Sequence, residues 1–139
     1  MDTKKTFKLT VKTPTENVYE GEVNSLLVDT ELGRMMVLPH HAALVGSITF
    51  SDTIISADNK LRAYNIRTGF LSIDNDENSV EILCNHCEQS QTLTYTSVEK
   101  YLEFLQGELQ SENLNPYQLE FLENEKFAVV KQLKTLKKD

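Results

Sequence analysis

The spacing of apolar residues changes once along this chain, and that change constrains the fold more than any other feature. Up to Gln91 the apolar residues come in short runs broken by Gly, Pro, Asn and Asp. "FKLTVKT" (Phe7 to Thr13) alternates apolar with polar, the period of a half-buried strand, and Pro14 closes it. "EVNSLLVDT" follows Gly21, "RMMVL" runs from Gly33 to Pro39, and "LVGSITF" follows a pair of histidines. "TIISA" and "KLRAYNIR" flank Asp58-Asn59, and "FLSID" and "SVEILC" flank "NDEN". Both intervening pieces carry the Asn and Asp that favour turns. Strands at this spacing predict an all-β sandwich or barrel.

Beyond Gln91 the period becomes helical. Thr96 and Glu99 have the spacing of a capping box, and Val98, Leu102, Leu105 and Leu109 recur at steps of four, three and four, with Tyr101 widening the face. Gly107 costs this helix about 1 kcal/mol relative to alanine. "SENLNP" breaks it. Asn115, Pro116 and Gln118 then read as a second start: an N-cap, a proline at the first helical position and a box partner. Leu119, Leu122, Val129, Leu133 and Leu136 form an apolar seam interrupted at Lys126. A short connection makes such helices pair antiparallel. The expected fold class is therefore α+β. An N-terminal all-β sandwich over residues 1–91 is followed by a C-terminal antiparallel two-helix hairpin over residues 92–139.

At 139 residues, 40% hydrophobic and 25% charged, the chain can build a core. Its net charge of −7 excludes general nucleic-acid binding, which needs a positive field. The charge is uneven. From Lys126 to Asp139 five lysines (126, 131, 134, 137 and 138) and one acid give +4, leaving −11 for the rest. This basic tip calls for an acidic partner, although lysines at a helix C-terminus also complement the helix dipole. No apolar run is long enough to span a bilayer, and "MDTKKTF" reads as neither a signal nor a transit peptide. Two cysteines fit a reducing compartment, so the expected location is cytoplasmic, with no direct membrane insertion.

Two stretches look chemical, "LPHHAALV" (Leu38 to Val45) and "CNHC" (Cys84 to Cys87). The second has the gap of a zinc knuckle. A structural zinc site needs four ligands, and the other candidates are His40 and His41. On an extended backbone these adjacent side chains point to opposite faces, and His86 joins only with strain. A redox pair lacks the strand–helix–strand setting of such motifs. A small zinc-binding or redox β-domain using Cys84 and Cys87 is thus the alternative function. The plainer reading has Cys84 finishing a buried strand and Cys87 beginning a linker. Ser47 and Ser51 lie near the histidines without an elbow motif, no glycine-rich phosphate loop occurs, and "DNDEN" lacks the closing Glu of a calcium loop. No catalytic residue, cofactor site or metal site is expected.

Taken in order, "LTVKTPTENVYEGEVNSLLV", "ELGRMMVLPHHAALV" and "IRTGFLSIDNDENSVEILC" resemble the epsilon subunit family of F-type ATP synthases. That family's pattern runs from a strand with "TP" to "LPxHAPLL", then "GGFLEV", a turn, "VTVLAD" and a helix pair. The resemblance covers essentially the whole chain. It implies a non-catalytic rotor subunit of the central stalk that couples proton or sodium translocation to ATP synthesis. Such a subunit sits at the cytoplasmic face of the bacterial inner membrane. Implied partners are the gamma subunit, the membrane c-ring and the alpha and beta catalytic subunits.

It also implies site residues. His41 takes the place of the family histidine in a structural turn at the ring end of the sandwich. Arg34 stands where the family often has an acid facing the ring loops. Lys131, Lys134, Lys137 and Lys138 match the basic helix that meets the catalytic subunits and brakes hydrolysis. The chain departs from the pattern elsewhere. Ala43 replaces the proline of "HAP", Thr68 replaces the first glycine of "GGF", and "TYTSVEKYLEF" lacks the arginine of the ATP-binding motif some members carry.

Overall fold

The computed structural model describes residues 5–90, 95–111 and 114–135. The chain divides into two compact units, Met1–Gln91 and Thr92–Asp139.

The first unit has seven strands: β1 (Phe7–Lys12), β2 (Asn17–Val23), β3 (Ser25–Thr30), β4 (Gly33–Val37), β5 (Leu44–Ala57), β6 (Lys60–Asp74) and β7 (Ser79–Gln89). They form a sheet in the order β2-β1-β7-β6-β5-β3-β4. β1 and β7 pair parallel, and the remaining neighbours pair antiparallel. Phe7 and Leu9 of β1 share one core with Leu26 and Val28 of β3 and Val37 of β4. Those strands lie at opposite ends of the sheet order, so the sheet folds over on itself as a sandwich. Tyr19 of β2 meets Tyr64 of β6 edge to face, with ring centroids 6.1 Å apart, a favourable aromatic geometry.

The strands differ from the sequence expectation in length. "LVGSITF" and "TIISA" are one strand, β5, and "KLRAYNIR" and "FLSID" are one strand, β6. Each long strand changes which residues face inward partway along. In β5 the buried set passes from Gly46 and Ile48 to Ser51, Thr53 and Ile55. In β6 it passes from Tyr64 and Ile66 to Leu71 and Ile73. In β7 Val80, Ile82 and Cys84 are buried, and then Cys87 packs against the core. The switch falls at one level in all three strands. The ladders pair Ile48 with Gly69 and Phe50 with Arg67, and Gly69 with Cys84 and Arg67 with His86, leaving Thr49, Thr68 and Asn85 between them unpaired. Thr68 sits there at φ +55°, the left-handed region that β-branched residues rarely enter. A strict period of two breaks at this kink, which is why each long strand reads as two short ones.

Two further corrections concern β2 and β7. β2 is a separate strand that the apolar spacing does not predict. It is an edge strand, "NVYEGEV", with mostly exposed or half-buried positions and a weak apolar alternation. Cys87 does not begin a linker, because β7 continues through it to Gln89. The Asp58-Asn59 turn is as expected. Both residues have positive φ, +51° and +62°, the requirement of a two-residue hairpin turn that follows the strand twist.

The second unit contains α1 (Tyr95–Leu109) and α2 (Pro116–Thr135), which pack against each other. α1 begins at Tyr95, so Thr96 lies inside the first turn and not in front of it. Tyr101 is not at the margin of the buried face but at its centre, between Val98 and Leu105, all fully buried. The second start is as the sequence predicts. The Gln118 amide donates to Asn115 Oδ1 at 2.7 Å and the Asn115 amide donates to Gln118 Oε1 at 3.1 Å, a complete capping box. Leu122 and Val129 are buried, with Lys126 half-buried between them. Leu136 of the expected seam lies outside the described residues.

Candidate functional site

The "LPHHA" stretch is a tight turn held from three directions. The His41 amide donates to the Leu38 carbonyl at 3.2 Å. Pro39 supplies a fixed φ at the second position, and His40 at the third has φ +65°, the signature of a type II turn. The histidines therefore do not lie on extended backbone, and the opposite-faces premise fails. The His40 amide donates to Asn78 Oδ1 at 2.8 Å. Asn75 Nδ2 donates to the carbonyls of His40 and His41, both at 3.0 Å. Asn75 and Asn78 belong to the β6–β7 turn, so "NDEN" and "LPHHA" form one composite surface. Ala42 and Ala43 are exposed at its tip. His41 is half-buried, with Nδ1 2.8 Å from the Ala42 carbonyl oxygen.

Arg34 sits at the start of β4, directly across from Asp29 of β3. Its guanidinium donates through Nε to Asp29 Oδ1 at 2.8 Å and through NH2 to Asp29 Oδ2 at 3.3 Å. Two parallel charge-assisted bonds fix both planes. The bond to Asp29 raises the Arg34 pKa above its ordinary value. The positive charge at this position is thus answered within the chain. Glu31, two residues after Asp29, is similarly occupied: its carboxylate accepts from the amide and the hydroxyl of Ser47. Between the two tied charges, Leu32 stands 66% exposed at the tip of the β3–β4 turn.

A larger surface escaped the sequence reading. Val45, Phe50, Phe70 and Leu83 are 69%, 51%, 61% and 49% exposed. All four project from the outer side of β5, β6 and β7, opposite the core. Phe70 and Leu83 are direct cross-strand partners, and Ser47, two residues from Val45, pairs with Phe70. Phe50 lies across the kink, next to Arg67, which in turn adjoins His86. An open depression of about 560 Å³ runs beside the patch, lined by Lys12, Pro14, Thr68, Gly69, Phe70 and Leu83 among others. Clustered aromatic side chains with an adjacent arginine are the composition of interface centres, and contiguous exposed apolar area marks interaction sites.

The kink explains why the sequence hid this patch. Continued alternation from Ile48 would place Phe50 inside, and continued alternation from Ile66 would place Phe70 inside. The switch of parity at Thr49 and Thr68 turns both outward. A threonine where a strand needs positive φ leaves no sequence signal.

"CNHC" holds no metal arrangement. Cys84 faces the core and its Sγ donates to the Lys12 carbonyl at 3.6 Å. Burial pushes its pKa up. Burial and the neighbouring Cys84 push the Cys87 thiol up to about 12. Thiol–disulfide exchange requires a thiolate, which this environment disfavours. His86 points away, 3.6 Å from Glu88. Among the described residues no group of three or more His, Cys, Asp or Glu is placed to hold a metal ion.

On α2, Lys131 Nζ lies 4.4 Å from the ring centroid of Phe127, a cation–π pair on an exposed face. Lys134 is in the last turn. Lys137 and Lys138 lie outside the described residues. No described helix is long and apolar enough to cross a membrane.

The β-sandwich domain of the ATP synthase delta/epsilon chain matches residues 6–90. The "ATP synthase epsilon chain" of Clostridium kluyveri is 36% identical over 83 residues, which cover 58% of this chain and 61% of that one. The chloroplastic "ATP synthase epsilon chain" of the fern Adiantum capillus-veneris is 31% identical over 101 residues, 73% of this chain and 75% of that one. A chain in the cryo-EM structure of the Euglena gracilis mitochondrial ATP synthase superposes with TM-score 0.58 at 18% identity, covering 96% of this chain and 82% of that chain. That likeness extends the shared fold over both units. With a seven-stranded sandwich over the matched residues and two helices after it, the chain belongs to the ATP synthase delta/epsilon chain family.

Proposed function

We propose that this chain is an epsilon subunit of the ATP synthase central stalk, non-catalytic by itself. The observation that carries this reading is the apolar outer face around Phe50, Phe70 and Leu83, joined to the family match over the same strands. A rotor subunit must hold a partner firmly enough to transmit torque. Burying several large apolar side chains contributes stabilisation at roughly 25 cal/mol per Å² removed from water. In this reading the outer face receives the gamma subunit. The composite of the 38–43 loop and the β6–β7 turn faces the c-ring, with His41 inside that surface, and the Leu32 tip at the other end of β4 makes a separate contact.

Arg34 contributes to the ring contact indirectly. Its bond to Asp29 holds the β3–β4 hairpin, and the exposed Leu32 makes the contact. This fits a charge reversal relative to the family pattern, since the charge is internally neutralised. The basic helix supplies Lys131 and Lys134, with Lys137 and Lys138 following in sequence, to an acidic segment of the catalytic subunits as a brake on hydrolysis. The subunit would be peripheral, held at the cytoplasmic face of the bacterial inner membrane through the complex.

Two experiments test these assignments. Co-expression with the cognate gamma subunit should give a one-to-one complex that survives gel filtration; separate elution would remove the rotor reading. In the assembled synthase, replacing Lys131, Lys134, Lys137 and Lys138 by alanine should raise ATP hydrolysis, and an unchanged rate would eliminate the brake.

A further inference from the structure

Asn78 ties its own β6–β7 turn to two segments that are distant in sequence. Its side-chain Nδ2 donates to the Thr6 carbonyl at 2.8 Å, just before β1. Its Oδ1 accepts from the His40 amide at 2.8 Å, in the loop between β4 and β5. Its backbone carbonyl accepts from the Lys8 amide at 3.3 Å, and its own amide donates to the Asn75 carbonyl at 3.3 Å. Every polar group of the residue is thus engaged. Asn78 also sits at φ +50°, a conformation asparagine enters more readily than other side chains.

We propose that Asn78 is the positioning residue of the 38–43 loop, a role that rests on the ring-contact reading above. The physical reason is the backbone of His40. With φ +65° and a non-glycine side chain, that residue persists in the left-handed region only when its surroundings over-determine it. Asn78 fixes its amide, and Asn75 fixes its carbonyl at 3.0 Å together with that of His41. The two asparagines therefore grip both ends of the strained residue. The exposed tip, Ala42 and Ala43, inherits a fixed direction from these bonds. A loop already in its bound geometry avoids the ordering cost of association. Because the same side chain also holds Thr6, the start of β1 and the loop move together or not at all.

The test separates positioning from general stability. Asn78→Gly removes both side-chain bonds yet tolerates positive φ, so the turn is not newly strained. Asn78→Asp keeps an acceptor for the His40 amide and loses the donor to Thr6. Amide hydrogen exchange by NMR reads His40 directly, with Leu71 and Ile82 as controls for the sheet. Asn78→Gly should speed His40 exchange roughly tenfold, the loss of about one hydrogen bond. Leu71 and Ile82 should stay unchanged, and Asn78→Asp should restore His40 protection. Unchanged His40 exchange in Asn78→Gly would overturn the proposal, as would equal acceleration in Asn78→Asp. A second readout in the reconstituted synthase is the ratio of ions pumped to ATP hydrolysed, which should fall in Asn78→Gly and recover in Asn78→Asp. If His40 loosens and that ratio holds, the positioning role stands and the ring-contact reading falls.

Discussion

Gly69 of β6 lies directly across from Cys84 of β7, with no room for a side chain between them. A Cβ at residue 69 would stand 2.7 Å from Cys84 Cβ and would overlap the Leu83 carbonyl oxygen. The obstacle is backbone and cannot swing aside. Gly69→Ala should therefore destabilise the sandwich by about 3 kcal/mol, at the upper end of overpacking costs. A urea melt measures this as a lower midpoint at constant slope. An unchanged midpoint would mean the two strands are farther apart than described.

The neighbouring residue should behave in the opposite sense. Thr68 holds φ +55° with a β-branched side chain. Relief of left-handed strain is worth about 1–2 kcal/mol, and the added chain entropy of glycine costs about 0.5–1 kcal/mol. Thr68→Gly should thus stabilise the protein by roughly 1 kcal/mol. In a thermal melt this appears as a rise of a few degrees. A fall would show that contacts of the Thr68 side chain outweigh its backbone strain.

Both thiols should be inert in the folded protein. Burial raises the Cys84 pKa above its ordinary value, and burial with the adjacent Cys84 takes Cys87 from 9.0 to about 12. At pH 8 iodoacetamide should label neither cysteine until the chain is unfolded in urea. The linkage has a definite sign. The unfolded chain releases these protons first, so the contribution of Cys87 is complete below about pH 9 and is lost as pH rises towards about 12. Rapid labelling of the native protein would restore the redox alternative.

Glu31 gives a dependence at the acid end. Burial acts to raise its pKa, but hydrogen bonds from its own amide and from the Ser47 amide and hydroxyl outweigh it, and the net shift is downward from 4.5. A depressed carboxyl stabilises the folded state above its unfolded pKa, and the contribution is lost as pH falls through the folded value. The Ser47 amide resonance should move on a titration centred below the ordinary carboxyl value of 4.5. Movement centred above that pH would show that the carboxylate is free.

How much was legible follows from the same residues. The change of period at Gln91, the Asp58-Asn59 hairpin and the Asn115 to Gln118 capping box all depend on local chemistry that a sequence displays. The kink at Thr49, Thr68 and Asn85 depends on three strands bending at a common level, which no single segment records. Its consequence, the outward turn of Phe50 and Phe70, was therefore invisible. The histidine turn was legible as a turn through Pro39. Its fixation by Asn75 and Asn78 was not, because those residues arrive from thirty-odd positions away.

The most direct test of the docking face is the affinity of this chain for the cognate gamma subunit, titrated with the wild-type chain and with Phe70→Ala combined with Leu83→Ala. Both residues are exposed, so the sandwich should fold unchanged. Interface centres of this kind lose about 2 kcal/mol or more on truncation, and the double variant should bind at least roughly 30-fold more weakly. Equal affinity for the two chains would contradict the assignment of this face to gamma.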